Sequence, residues 1–132
     1  MNAALDDLKQ TRLALANDLI VHIGGCGRQF FLNREKNSIS HFWIDLRGRI
    51  WYWDAHSRHS IYTHYAGRWR YFCEGGTLEY LIRALRDFIQ TGKLLPRSIF
   101  GPWPEWCDDD LWGYGEDMER IRVAARTLGV TL

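Results

Sequence analysis

The sequence predicts an α+β fold: an antiparallel β-meander of four or more strands, packed on one face by a helix at about residues 78–91, with N- and C-terminal helices. Three observations predict it. Residues 41–72 hold ten of the nineteen aromatic residues and alternate bulky with polar side chains around short glycine turns. Residues 78–91 repeat large apolar residues at helical spacing, and residues 3–17 and 116–128 are amphipathic. At this length, we expect a single domain, 1–132.

The N-terminal region is expected to contain a helix followed by a hairpin. The leucines of residues 3–17 lie near one stripe of a helix. The β-branched run Leu19–Ile23 then predicts a strand that ends at the glycines of residues 24–27, and a second apolar run follows at residues 29–33. A Gly-Gly-x-Gly loop can bind phosphate when a helix starts directly after it. Because a strand is expected here, the sequence favours a plain turn.

The central hairpin is built on the turn at residues 47–48. If Arg47 and Gly48 form a two-residue turn, Ile44 pairs with Trp51 and Phe42 pairs with Trp53. The face assigned to the core is then Phe42, Ile44, Leu46, Trp51 and Trp53. The mixed face, which can meet water, a loop or a ligand, is His41, Trp43, Asp45, Ile50, Tyr52 and Asp54. A slip of one residue would exchange these faces.

The second half of the chain predicts a further hairpin and two helices. After a turn at residues 55–60, residues 61–65 and 68–73 are expected to pair as strands. Thr77 is the expected N-cap of the main helix, and Gly92 is expected to end it. Six large apolar side chains on one stripe, each contributing about 1.5–3 kcal/mol when buried, indicate that this helix covers the sheet.

The distribution of charge favours planar or anionic partners for the sheet. The net charge of +1 argues against bulk attraction to nucleic acid or to a membrane. Residues 28–70, however, hold eight basic residues against three acidic ones, and residues 104–119 hold seven acids and no base. Arginine outnumbers lysine fourteen to three. Guanidinium groups stack on aromatic rings and bind carboxylates or phosphates bidentately, although a GC-rich genome would also favour arginine.

The cysteines and the apolar runs predict a cytoplasmic protein. Cys26, Cys73 and Cys107 are far apart and form no C-x-x-C pair, which favours free thiols in a reducing compartment. The N-terminus lacks the pattern of a signal peptide. No apolar run reaches the roughly 18–20 residues of a membrane span.

A cluster of histidines offers one candidate chemistry. Asp54, His56, His59 and His64 lie within eleven residues, and the predicted register places His41 opposite Asp54. Imidazoles with a carboxylate suit zinc, which would allow a metal-dependent hydrolase. The spacing matches no recognised zinc motif, so a solvent-exposed turn is favoured over metal binding. The sequence shows no catalytic constellation and no pattern for a cofactor, and we expect no enzyme activity.

A predicted loop rich in proline, glycine and acidic residues, at residues 96–115, contains a second set of aromatic residues. Four aromatics lie within residues 101–115, among them Trp103 and Trp106. They form either a clamp that stacks on a partner or a plug that fills the second face of the sheet. The plug is favoured.

Several of these segments resemble small uncharacterised proteins encoded by phages and prophages of Gram-negative bacteria. The resemblance spans residues 41–132 and lies in Trp69–Phe72, Gly75–Leu78 with the following apolar stripe, and Trp112–Gly115. The predicted helix at residues 3–17 and the glycine turn at residues 24–27 lie outside it. The resemblance implies a setting in which accessory phage genes encode compact inhibitors of host enzymes or defence systems, including anti-CRISPR proteins. It transfers no catalytic residue.

These observations lead to a non-enzymatic binding or inhibitor protein, phage-derived, that modulates a bacterial host protein through an arginine and aromatic surface. The expected contact residues are Trp43, Tyr52, Arg47, Arg58, Arg68 and Arg70, with Trp103 and Trp106 as additions. The alternative is a nucleic-acid or nucleotide-binding module, in which rings stack on bases and arginines meet phosphates. Third comes the hydrolase built on His56, His59 and His64. A homodimer is a further expectation, because an exposed aromatic face can pair with a second copy.

Overall fold

The structure is a computed structural model that describes residues 3–25, 31–64, 76–96, 99–100 and 117–131. Within these ranges, three helices and five strands form an α+β fold with helices towards both termini, as the sequence predicts. The helices are α1 (Ala3–Gly25), α2 (Gly76–Thr91) and α3 (Asp117–Thr127). The strands are β1 (Leu32–Asn33), β2 (Ser38–Ile39), β3 (His41–Ile44), β4 (Ile50–Asp54) and β5 (His59–Tyr62).

Helix α1 is longer than predicted, and the expected strand at Leu19–Ile23 is wrong. These residues continue the helix to Gly25. Within it, Leu19, Ile20 and Ile23 are fully buried, at the spacing of one helical face. The preference of β-branched residues for strands is weak, and burial against the other helices and the sheet outweighs it.

The glycines at the end of α1 do not form the expected hairpin turn. Gly24 and Gly25 are the last two residues of the helix, and residues 26–30 lie outside the described part. The helix therefore presents its C-terminal end there, which carries the negative end of the helix dipole and disfavours an anion. The described geometry gives no support to a phosphate loop. Strand β1 lies within the apolar run at residues 29–33, where a strand is predicted. Its partner is β2 and not Leu19–Ile23, with Leu32 opposite Ile39.

The central hairpin forms where predicted, but its register differs by one residue. Trp43 pairs with Trp51 and Phe42 with Tyr52, because the connection has three residues instead of two. Asp45 and Gly48 close a turn in which the Gly48 N–H donates to the Asp45 carbonyl oxygen at 3.0 Å, and Gly48 adopts a φ of 78°. A turn followed by a left-handed glycine is the usual three-residue hairpin connection. The assignment of β3 to its two faces is confirmed, and that of β4 is reversed.

The third strand completes a meander in the order β3-β4-β5, and all its pairings are antiparallel. The turn from β4 ends at Arg58, which has a φ of 59°, so β5 begins at His59 and not at Ile61. The expected partner strand at residues 68–73 and the cysteines Cys26, Cys73 and Cys107 lie outside the described residues.

The predicted helices α2 and α3 are confirmed. Five of the six expected apolar residues of α2 are buried, namely Leu81, Ile82, Leu85, Phe88 and Ile89. Gly92, with a φ of 81°, ends α2 and donates its N–H to the Phe88 carbonyl oxygen at 2.8 Å. In α3, Ile121 and Ala125 are buried, which fits the amphipathic pattern of residues 116–128. Helix α2 begins at Gly76, so Thr77 lies within its first turn and not at the N-cap position that the sequence predicts.

One hydrophobic core joins all three helices to the inner face of the sheet. Helix α2 contacts β4, as the sequence predicts. Helix α1 contacts α2, α3 and β3, so it occupies the centre of the helical layer instead of a flank. Because both helices pack against the inner face, the positions that alternate to the other side of β3, β4 and β5 are directed away from this core.

Candidate binding surface

The outward face of the three-stranded sheet carries five rings that contact one another in two groups, a pair and a set of three. We call them the aromatic ladder: His41, Trp43, Trp51, Trp53 and Tyr62. The indoles of Trp43 and Trp51 are stacked, with ring centroids 5.5 Å apart and planes 13° apart. Trp51 contacts Tyr62 at 5.3 Å, and His41 contacts Trp53 at 5.5 Å. Each contact joins residues that are direct cross-strand neighbours, so the strand register creates the ladder.

Arginine side chains lie over these rings. The guanidinium of Arg49 is 5.8 Å from the centroid of Trp51 and 5.9 Å from that of Tyr62. The guanidinium of Arg58 is 5.5 Å from the centroid of Trp53. Cations at these distances are attracted by the negative face of an aromatic ring. The ladder therefore combines ring surface with positive charge, as the sequence predicts for this sheet.

Asp45 fixes one end of the ladder. Its Oδ2 accepts the indole N–H of Trp51 at 2.9 Å and the Arg49 Nε–H at 2.7 Å, and its Oδ1 accepts the backbone N–H groups of Arg47 and Arg49 at 2.9 Å each. Desolvation raises the pKa of the carboxyl. The hydrogen bonds from Trp51 and Arg49, with that from Arg47, outweigh this effect and hold the pKa of Asp45 well below its usual value. Asp45 is therefore a structural carboxylate and not a proton donor near neutral pH.

Three of the predicted contact residues lie on or beside this face. Trp43 is 36% exposed and donates its indole N–H to the Ser60 hydroxyl oxygen at 3.2 Å. Arg47, in the β3–β4 turn, and Arg58 are exposed. Their roles as contacts stay predictions. Arg68, Arg70, Trp103 and Trp106 lie outside the described residues.

The assignment of Tyr52 to the contact surface is wrong. Its side chain is fully buried, and its ring lies 5.3 Å from Phe42 and 6.4 Å from Phe31. The cause is the register: with three residues in the turn, Tyr52 faces inward with Phe42, and Trp51 and Trp53 face outward. Trp51 and Trp53, assigned to the core from the sequence, are only half-buried.

The ladder residues that sequence analysis missed had a detectable signal. Aspartate at the first position of a type I turn and glycine at the fourth form a favoured combination, and Asp45 and Gly48 have this spacing. This signal predicts the three-residue connection, and with it the outward positions of Trp51 and Trp53. Tyr62 follows from its pairing with Trp51.

The histidine cluster does not assemble into a metal site in the part of the chain that the structure describes. No three of its His, Cys, Asp and Glu residues approach closely enough to hold an ion. Asp54 is fully buried and accepts the backbone N–H groups of His56 at 3.3 Å and Ser57 at 3.2 Å, so its carboxylate holds the β4–β5 turn. His41 lies opposite Trp53 and not opposite Asp54.

His64, the last member of the predicted cluster, lies near the C-terminal half of α2. Its ring is 5.7 Å from that of Tyr62. Burial and the nearby Arg86 lower the pKa of His64, and a hydrogen bond with Gln90 opposes them. The neutral imidazole is therefore favoured.

Comparison with known proteins gives a match to one family model. The YoqU family model matches residues 6–131, and so includes most of α1, which the resemblance seen in the sequence left outside. No curated protein and no solved structure matches the chain. In the described part, no helix is both long and apolar enough to cross a membrane. Because the family model covers nearly all of its length, the chain belongs to the YoqU family.

Proposed function

We propose that the chain is a non-enzymatic binding protein that docks on a bacterial host protein through the aromatic ladder and its arginines. The observation that carries this proposal is the outward placement of three tryptophans on one sheet face, with Arg49 and Arg58 over their rings or beside them. Tryptophan, tyrosine and arginine are the residue types most enriched among interface residues that dominate binding energy.

The arrangement of the rings favours a protein partner over a nucleic acid. A base that stacks on a protein needs the free face of a ring. Trp51 already has the rings of Trp43 and Tyr62 and the guanidinium of Arg49 against it. The positive charge of Arg49 is offset by its ion pair with Asp45 at 2.7 Å, which leaves less charge for a phosphate backbone. Ring edges and indole surface remain for side chains of a protein.

The biological setting of the proposal is inhibition. The resemblance of residues 41–132 to phage and prophage proteins supports a phage-derived chain that blocks a host enzyme or a defence system. Such a role needs a stable surface and no catalytic group. A ladder held by cross-strand contacts and by the hydrogen bonds of Asp45 supplies that surface.

The proposal is tested by capture of partners with a face variant. Trp43→Ala combined with Arg58→Ala removes an exposed ring and a cation, and both side chains lie outside the core. We expect this variant to keep a cooperative urea unfolding transition close to that of the wild type. From a lysate of cells that encode the chain, it should retain at least tenfold less of the partner protein than the wild type does. Tyr80→Ala, on an exposed position of α2, is the matched control and should retain that protein.

Two results would contradict the proposal. One is equal retention of the same protein by the face variant and the wild type. The other is recovery of DNA or RNA as the specific ligand, with binding that falls steeply as salt is raised, which would favour the nucleic-acid alternative.

A further inference from the structure

The β3–β4 turn presents one leucine completely to solvent. The side chain of Leu46 is 107% exposed, although the sequence pattern assigned it to the core. A two-residue turn would have kept Leu46 in β3 beside Ile44. The three-residue connection instead makes it the first residue of the loop, where it projects beyond the end of the sheet.

The turn that carries Leu46 is held from several directions. The backbone N–H of Asp45 donates to the Arg49 carbonyl oxygen at 3.0 Å, and the Asp45 carboxylate accepts the N–H groups of Arg47 and Arg49. From α1, the Lys9 ammonium donates to the Gly48 carbonyl oxygen at 2.9 Å. A loop fixed in this way loses little conformational entropy on binding, which favours affinity.

The surroundings of Leu46 are concave and basic. A recess of about 590 Å³ lies between the turn and α1, and its lining includes Lys9, Gln10 and Ile44. Lys9 and Arg47 contribute positive charge to this recess. Asp45 is the one acid among its described lining residues, and both of its carboxylate oxygens already accept hydrogen bonds. Two cations, Lys9 and Arg47, thus face one acid in this recess, so the surroundings of Leu46 carry a net positive charge.

From this geometry we propose that the turn is the anchor of the interface, and that Leu46 enters an apolar pocket of the partner protein that is rimmed by Asp and Glu side chains. The carboxylates at the rim pair with Arg47 and Lys9, and Arg47 can bind one of them bidentately. This inference rests on the proposed function and names the chemistry of its partner. The turn is continuous with the ladder, because the Asp45 carboxylate accepts hydrogen bonds both from the turn backbone and from the Trp51 indole.

The test uses a photo-reactive amino acid, p-benzoylphenylalanine, placed at position 46, 43 or 80 in the full chain. Cells that encode the chain are irradiated, and the cross-linked peptides are identified by mass spectrometry. We expect positions 46 and 43 to label the same partner protein. The segment labelled from position 46 should be acidic, and position 80 should not label this protein. These positions have exposed side chains, so the replacement leaves the core intact.

The outcomes separate this inference from the proposed function. Labelling of one protein from position 43 but not from position 46 overturns the anchor and leaves the proposed function standing. Labelling of a basic segment from position 46 overturns the acidic rim. An absence of specific labelling from both positions, or labelling of nucleic acid, overturns both proposals.

Affinity measurements with the partner protein identified by cross-linking complete the test. We expect Leu46→Ala and Arg47→Glu each to raise Kd about tenfold or more. Arg47→Lys should raise Kd less than Arg47→Glu does, because lysine keeps the positive charge. Val21→Ala removes an exposed apolar side chain from α1 and is the matched control, for which no change is expected. Equal Kd values for wild type and Leu46→Ala would overturn the anchor.

Discussion

Asp45 shows how one carboxylate organises a surface. It accepts hydrogen bonds from the backbone of the β3–β4 turn, from the Arg49 guanidinium and from the Trp51 indole. These donors link three kinds of structure: the turn, a cation and the ladder. A change at this residue is therefore expected to disturb the proposed anchor and the rings together.

The lowered pKa of Asp45 predicts a stability difference that depends on pH. The folded state favours the ionised carboxylate. The contribution of Asp45 to the free energy of unfolding is therefore fully present above the usual aspartate pKa of about 3.9, and it is lost as pH falls below that value. We expect Asp45→Asn to unfold at lower urea concentration than wild type near pH 7, and the gap to narrow towards about pH 3. Asp7→Asn, on the exposed surface of α1, controls for the loss of one negative charge. A gap of constant size across this range would contradict the assignment.

At the scale of the elements, helix α1 protects an edge of the sheet. Strand β3 is an edge strand, and Asn17 of α1 lies against it. The Phe42 N–H donates to the Asn17 amide oxygen at 2.8 Å, and the Asn17 amide nitrogen donates to the Phe42 carbonyl oxygen at 3.1 Å. One side chain thus satisfies the two backbone groups that a neighbouring strand would pair. Exposed edges of this kind promote aggregation unless they are covered.

Removal of the Asn17 amide should therefore weaken the fold and expose the edge. We expect Asn17→Ala to lower the free energy of unfolding by about 2 kcal/mol, from two hydrogen bonds at about 1 kcal/mol each, as measured by urea denaturation. Asp18→Ala, the exposed neighbour in α1, is matched in helix propensity and should change stability little. A loss as small as that of the control would show that the amide pair does not stabilise the edge.

At the scale of the whole molecule, the helices and the sheet share one core. Buried residues of α1, α2, α3 and the inner sheet face belong to a single cluster. Leu85 of α2 is fully buried within it. Because no separate core divides the described elements, we expect them to unfold together.

The shared core predicts a large and global effect of one truncation. Leu85→Ala should lower the free energy of unfolding by about 2–5 kcal/mol, because it removes apolar contacts and leaves a cavity. The transitions followed by helix circular dichroism and by tryptophan fluorescence should remain coincident. Leu8→Ala, at an exposed helical position, is the control and should stay within about 0.5 kcal/mol of wild type. Separate transitions for the two signals would contradict a single core.

The sequence predicts the parts of this fold whose patterns are local and strong. The apolar stripe of α2 and its end at Gly92 are correct because every turn of the helix buries the same face. The end of α1 was missed because its β-branched residues favour a strand and because Val21 is exposed, although Leu19 and Ile23 on either side of it are buried. Packing against other elements outweighs this local preference, and a local pattern does not contain that packing.

The prediction of the candidate surface depended on the number of residues in the β3–β4 turn. Trp43, Arg47 and Arg58 are exposed, as expected for the predicted surface, and their role as contacts stays a prediction. One additional residue in the β3–β4 turn reversed β4, which moved Tyr52 inward and Trp51 outward. Side chains alternate with a period of two, so an error of one residue in a loop changes every position of the next strand.

The stacked indoles of Trp43 and Trp51 also give the molecule an optical signature. Two indoles with centroids 5.5 Å apart couple their ultraviolet transitions, and a skew between the two transition directions splits the coupled band into circular dichroism components of opposite sign. This couplet depends on the distance and angle between the rings, so it reports on the alignment of β3 with β4 without any added label. The spectrum of the native protein therefore contains its own record of whether that alignment persists when a binding partner is added.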